Sequence, residues 1–271
     1  MNPNIEDVIW TKIKLARHPK RPTSQSIIPL VIDDFIELFG DREFSDDHAF
    51  ITGIGRFEGL PVTVIAQEKG ITTPERIERN FGMPHPEGYR KAMRAMKQAE
   101  KFHRPIIVFI DTPGAYPGIG AEERGQAQAI AKNLFEMTSI KTPIIAFVIS
   151  EGGSGGALAI GVADKVYMLE NSIYSILSPE GFASILFKDS TLAKKAASLM
   201  KLTSEDLYSF KIIDGIVKEA EAGFHENVEL TVKHMRQIIK KELKQLTKLD
   251  PDALLEHRYQ RFRRMGVVVE Q

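Results

Sequence analysis

The sequence contains no cysteine. That absence excludes disulfide bridges, a thiolate nucleophile and cysteine-ligated zinc within this chain, and it fits a reducing compartment. Nor is there an excess of charge of one sign, since 36 lysines and arginines balance 36 aspartates and glutamates. Such a balance predicts no broad attraction to nucleic acid or to an anionic membrane. Long apolar runs are missing too. Ile106–Ile110 and Ile144–Ile149 are the longest, far below the roughly 20 residues that a membrane helix needs. The segment Met1–Lys14 carries Glu6 and Asp7 in place of the apolar stretch of a signal peptide. A soluble cytoplasmic protein is expected.

What is present is enough apolar material, 43% of 271 residues, to bury a sizeable core. Helical periodicity is read over 3–17 and again over 29–39, where Ile32, Phe35, Ile36 and Phe39 recur at helical spacing. His18-Pro-Lys-Arg-Pro separates the two, because proline cannot continue a helix. Phe50–Phe57 and Val62–Gln67 read as a hairpin about Glu58-Gly59-Leu60-Pro61. Beyond a long helix over 86–102, the apolar runs Ile106–Ile110, Ile144–Ile149 and Lys165–Met168 alternate with helical segments over 121–138 and from Gly155 onward. That alternation predicts βαβ units and a mostly parallel sheet. Strands over 173–177 and 212–217, and helices over 179–187, 192–200, 228–246 and 252–265, complete the pattern. One α/β domain is expected: N-terminal helices over about 1–40, a core over about 41–220 and C-terminal helices over about 221–271.

Two glycine-rich turns each follow a buried strand and precede a helix. They are Asp111-Thr-Pro-Gly-Ala-Tyr-Pro-Gly118 and Glu151-Gly-Gly-Ser-Gly-Gly156. In a parallel sheet both lie at the carboxyl ends of strands, where α/β proteins place ligands. Backbone N–H groups left unpaired at a helix start favour negative charge, and glycine allows a ligand to come close. The other reading is that the glycines only permit tight packing. The second turn also fits Gly-x-Ser-x-Gly through Gly152, Ser154 and Gly156, the pattern of a nucleophile elbow. A stand-alone serine hydrolase then needs a base, for which Asp214 with His225 or His257 follow in the right chain order.

Both turns resemble the acetyl-CoA carboxylase carboxyltransferase alpha-subunit family. So do Ala121-Glu-Glu-Arg-Gly-Gln126, Arg79-Asn-Phe-Gly-Met-Pro-His-Pro-Glu-Gly-Tyr-Arg-Lys91 and Tyr174-Ser-Ile-Leu-Ser-Pro-Glu-Gly181, over about 16–266 in all. The resemblance implies a crotonase-like fold, a spiral of ββα units with helical extensions at both ends. It implies a carboxyltransferase beta subunit as partner, which usually carries a cysteine zinc ribbon, in an α2β2 heterotetramer. It also implies biotin carboxyl carrier protein and biotin carboxylase within the larger complex. The reaction it implies moves a carboxyl group from carboxybiotin on the carrier to acetyl-CoA, giving malonyl-CoA for fatty acid synthesis, with no metal in this chain. By the same resemblance Gly155 and Gly156 supply the oxyanion hole for biotin, with Ser154 a spacer. Gly114, Ala115, Tyr116, Gly153 and Ala157 line the same cleft. A stand-alone crotonase-type acyl-CoA enzyme is the neighbouring alternative.

Several charged groups carry two readings each. Glu122, Glu123 and Arg124 open a helix, as a cap for its dipole or as active-site groups. Arg76, Arg79, Arg90 and Lys91 either meet the phosphates of CoA or the partner, or form a solvated face. Arg258, Arg261, Arg263 and Arg264 form a local basic patch for a nucleotide phosphate or a subunit contact. His85, between Pro84 and Pro86, reads as structural. Family members often begin with a further helical segment, and this chain departs from their pattern at Ser150 and at Ala222-Gly-Phe-His225.

Overall fold

The computed structural model describes residues 4–266; Pro3, the first residue of the helix expected over 3–17, and the end of the expected C-terminal unit lie outside them. The strands are β1 (Asp33–Glu37), β2 (Phe50–Phe57), β3 (Leu60–Gln67), β4 (Ile106–Thr112), β5 (Ile144–Gly153), β6 (Lys165–Leu169), β7 (Ile173–Ser175) and β8 (Gly215–Val217). The helices are α1 (Ile5–Ala16), α2 (Ser24–Val31), α3 (Thr73–Glu78), α4 (Pro86–Lys101), α5 (Ile119–Glu123), α6 (Gln126–Met137) and α7 (Ser154–Leu158). They continue with α8 (Pro179–Phe187), α9 (Ala193–Met200), α10 (Ser204–Ser209), α11 (Val228–Leu246) and α12 (Pro251–Arg263).

One sheet runs in the order β1-β2-β3-β4-β5-β6-β8, with β7 pairing the far end of β5. β1, β2 and β3 are antiparallel, and the pairs from β3 to β8 are parallel. Continuous apolar runs follow from burial on both faces. Ile106, Val108 and Ile110 face α4, α6 and α7, whereas Ile107 and Phe109 face α2 and α11. A largely parallel sheet with helices on both faces is the expected α/β fold.

Three local expectations are corrected. The periodicity over 29–39 is not a helix: α2 ends at Val31, and Asp33–Glu37 pairs antiparallel with β2. Ile36 and Phe39 are exposed, so this apolar spacing marks no buried helical face. The helix expected over 121–138 is two, because Gly125 adopts a left-handed φ of 83° between α5 and α6. The hairpin turn is shorter than read. Phe57 pairs Leu60, and Glu58 and Gly59 both have positive φ, the two-residue geometry that suits the twist of antiparallel strands.

Buried ion pairs fasten the helical ends to the sheet. Arg21 binds Glu219 at 2.6 Å with both side chains fully buried, and it also donates to the Ile149 carbonyl. Burial pushes the Glu219 carboxyl up, but Arg21 and Asn171 outweigh it and hold the group below its ordinary 4.5. A depressed folded value means that this stabilisation is present above about 4.5 and fades as pH falls through the lower folded value. Arg21→Met strands a buried carboxylate and is expected to cost about 3–5 kcal/mol at pH 7, whereas Arg21→Met/Glu219→Leu recovers most of it. Urea denaturation measures both, and equal losses in the two variants would refute the assignment.

Candidate functional site

The two glycine turns meet. A Cβ built on Gly156 lies 2.6 Å from the Ala115 nitrogen and 2.8 Å from the Gly114 carbonyl carbon; one on Gly153 lies 2.1 Å from the Pro113 oxygen. Side chains are therefore excluded at both positions by the backbone of the other turn. At Gly114 the requirement is different: its φ is +150°, with open space around it. Gly155 is different again. It is half-buried, and a Cβ there makes only ordinary contact, 3.6 Å from Ile130. Packing does not demand glycine at 155, although it does at 156.

The alignment of the turns has a cause in the sheet. β4 and β5 pair in register from Ile106 to Ile110, then shift so that Thr112 faces Gly152. The extra length carries the end of β5 over to β7 and delivers Ser154 to the first turn of α7. No side chain caps α7, so its leading N–H groups have no partner of that kind. Thr112 shapes the other turn: its hydroxyl accepts the Gly114 N–H at 3.0 Å and lies 2.6 Å from the Gly82 carbonyl. Tyr116 is half-buried, donates its N–H to the Pro84 carbonyl and packs on His85 with ring centres 4.3 Å apart. Ala157 points into the core. A small cleft of about 30 Å³ lies beside the turns, bordered by Pro113, Gly152, Gly153, Arg17 and Glu151, and is not lined by Gly114, Ala115, Gly155 or Gly156. A larger apolar cavity of about 590 Å³ lies beyond α7, between Leu134, Leu158, Val162, Leu255, Tyr259 and Phe262.

A serine-hydrolase triad is not assembled. Ser154 is exposed and has the positive φ, 52°, of an elbow, but its prospective partners lie elsewhere. Asp214 accepts the Val166 N–H and binds Arg261 at the amino-terminal end of β6, the opposite end of the parallel sheet. His257 lies near that end too, where burial and then Lys165 lower its pKa. His225 stacks on His18 at 3.8 Å; its neighbour Phe224 packs on the sheet face away from α7.

Most of the basic groups are bonded within the chain. Lys91 is fully buried and donates to Asp46 and to the Asp47 and Phe50 carbonyls. Arg90 binds Asp41 and Glu87, and Arg79 binds the His48 carbonyl and Gln25. Arg76 reaches the Gly70 carbonyl. Arg258 is buried against Asp164 and three carbonyls, and Arg261 against Asp214, so only Arg263 and Arg264 of the expected basic patch face solvent. Glu122 and Glu123 are exposed, with Glu122 in the first turn of α5, and Arg124 binds Glu87. Ser150 donates to the Ala16 carbonyl and accepts from Lys69.

Two buried residues behind the turns were not singled out in the sequence. Gln67 donates to the Gly156 carbonyl and accepts from the Asp111 N–H. Tyr89 is fully buried, and its hydroxyl has no hydrogen-bond partner. It lies 3.0 Å from the Cβ built on Gly156, and burial pushes its pKa well up. Nothing local marks either residue, because both act on segments distant in sequence.

An unpartnered buried hydroxyl contributes no net stability. Tyr89→Phe is therefore expected to leave stability unchanged or raise it by about 1 kcal/mol, measured by thermal denaturation. A loss of that size would mean that the hydroxyl is paired in solution.

Known proteins share this sequence and fold. The family described as acetyl co-enzyme A carboxylase carboxyltransferase-like matches residues 5–266. The acetyl-coenzyme A carboxylase carboxyl transferase subunit alpha of Alkaliphilus oremlandii is 58% identical over 95% of this chain and 82% of its own. That of Clostridium botulinum (strain Alaska E43) is 56% identical over 96% of this chain and 94% of its own. Among solved structures, transcarboxylase 12S superposes with a TM-score of 0.68 at 18% identity, over 84% of this chain and 43% of the other. The beta subunit of P. aeruginosa geranyl-CoA carboxylase gives 0.64 at 17%, over 89% and 43%. At those identities the structures speak for the fold alone, whereas the sequence matches run nearly end to end: the chain belongs to the acetyl co-enzyme A carboxylase carboxyltransferase-like family.

Proposed function

We propose that this chain is the alpha subunit of an acetyl-CoA carboxylase carboxyltransferase, working with a beta subunit in an α2β2 assembly. Carboxybiotin on its carrier protein is the carboxyl donor, and acetyl-CoA is the acceptor. The observation that carries this reading, beside the family membership, is the contact of the two glycine turns at adjacent strand ends.

When carboxybiotin releases CO2, negative charge develops on the ureido oxygen. Gly155 and Gly156, in the uncapped first turn of α7, offer N–H groups to that charge. The biotin nitrogen then takes a proton from the acetyl methyl group, and the resulting enolate attacks CO2 to give malonyl-CoA. The second oxyanion, on the thioester, falls to the beta subunit. Gly114 and Ala115 form the opposing wall, Gly153 sets its distance, Ser154 is a spacer, and Tyr116 and Ala157 belong to the same substrate site.

The assay is malonyl-CoA-dependent carboxylation of free biotin, the reverse reaction, with this chain alone and with a matching beta subunit. Activity is expected only in the mixture; its absence from a mixture shown by sizing to be assembled would overturn the reading. Gly155 is the residue to vary. Gly156→Val forces a side chain into the backbone of the other turn, so its loss of activity would not separate chemistry from packing. At Gly155 there is room, and a helical Cβ points back toward the N-terminus, beside the N–H groups. Gly155→Val is expected to keep the complex assembled and to lower kcat by about 100-fold, the scale of losing one oxyanion donor. Near-normal activity would remove Gly155 from the site.

A further inference from the structure

We propose that Gln67 is the positioning residue of the carboxyltransferase site, holding the two glycine turns at a fixed separation without touching substrate. The proposal rests on the reading of α7 as the oxyanion hole for the biotin ureido oxygen.

Gln67 ends β3 and is fully buried. Its carboxamide reaches under both turns: Nε2 donates to the Gly156 carbonyl at 2.8 Å, and Oε1 accepts the Asp111 N–H at 3.2 Å. The two bonds fix the orientation of the amide. Turned over, it would set NH2 against N–H and oxygen against oxygen, so only one of its two placements is bonded. Its own backbone carbonyl accepts the Ser24 hydroxyl at 2.7 Å, so the strand end that carries the amide is itself tied down.

The Gly156 carbonyl needs this partner because the short helix does not supply one. α7 ends at Leu158, and the Ile160 N–H goes to the Ala157 carbonyl at 3.3 Å instead of one residue further back. A buried carbonyl without a donor is costly, so the first turn of α7 settles where Gln67 can reach it. Asp111 opens the other turn. A single side chain thus sets the rotation of the turn that carries Gly155 and Gly156, and its distance from the wall at Gly114 and Ala115. The Tyr89 hydroxyl, near the Cβ position of Gly156, has no hydrogen-bond partner and so offers the carbonyl no bond in Gln67's place. Oxyanion stabilisation falls steeply when donors are misaimed. Loss of the tether should therefore act on the chemical step more than on CoA binding.

The test uses the full chain assembled with its matching beta subunit and the biotin carboxylation assay. Gln67→Met keeps length and removes both bonds. We expect kcat to fall about 10- to 100-fold, with KM for malonyl-CoA within about twofold and the assembly unchanged by sizing. A double-mutant cycle with Gly155→Val should be strongly non-additive, the pair losing little more than Gly155→Val alone. A purely structural glutamine would instead give additive losses. Gln67→Glu, which keeps the shape and the acceptor for Asp111 but presents a carboxylate to the Gly156 carbonyl, carries the test if the Met variant does not assemble, and is expected to lose kcat to the same extent. Unchanged kcat, a rise in KM matching the fall in kcat, or additivity in the cycle overturns the proposal. If Gly155→Val is inactive while Gln67→Met is fully active, only the role of Gln67 falls. If Gly155→Val is fully active, the oxyanion-hole reading falls and takes this one with it.

Discussion

Between the first turn of α7 and the turn after β4 there is no room for a side chain. The backbone of Gly153 lies on Pro113, and that of Gly156 lies on Gly114 and Ala115. This contact joins the ends of two neighbouring parallel strands into one surface, and much of the surrounding architecture maintains it. The register shift in β5 supplies the length, β7 holds the displaced strand end, and Thr112 shapes the facing turn. Gln67 spans the pair from below. Because the contact is between backbones, its geometry is set by hydrogen bonds and strand pairing. A site meant to hold a developing charge gains from that rigidity, since its donors need no reorganisation when the charge appears.

Several charged groups act inside this molecule. Arg21–Glu219, Lys91–Asp46 and Arg258–Asp164 each join segments far apart in sequence, with at least one partner fully buried. Arg258 also takes three carbonyls from the loop before β5 and the end of α6. Removing either member of such a pair leaves the other stranded, so these residues are constrained as strongly as core leucines.

The strands were legible wherever burial on both faces produced unbroken apolar runs, as at Ile106–Ile110 and Ile144–Ile149. β1 was not, because an edge strand with alternating exposure imitates helical spacing over a few residues. α3 and α10 went unread although each announces itself with a capping box, Thr72 with Glu75 and Thr203 with Asp206. The glycine turns stood out in sequence, but not the separate reasons for each glycine: a backbone conformation at Gly114, a backbone neighbour at Gly156, and neither at Gly155. Those depend on which strands become neighbours. The same holds for Gln67, whose two partners lie 44 and 89 residues away. It holds as well for Arg258, which reads as a basic patch until Asp164, 94 residues earlier, is placed beside it.

That last separation bears on the order in which the chain is made. A ribosome releases Asp164 long before Arg258, and Glu219 long after Arg21. A nascent chain that has finished β6 therefore has a carboxylate destined for the interior and no cation to accompany it there, while an early arginine waits for a late glutamate. Closure of the sheet around either group before its counter-ion emerges would be opposed by the cost of an unpaired buried charge. Asp164 therefore gains its buried counter-ion only with α12, and Arg21 only with the segment after β8. A chain that ended before Arg258 would keep both glycine turns and leave Asp164 buried without its cation.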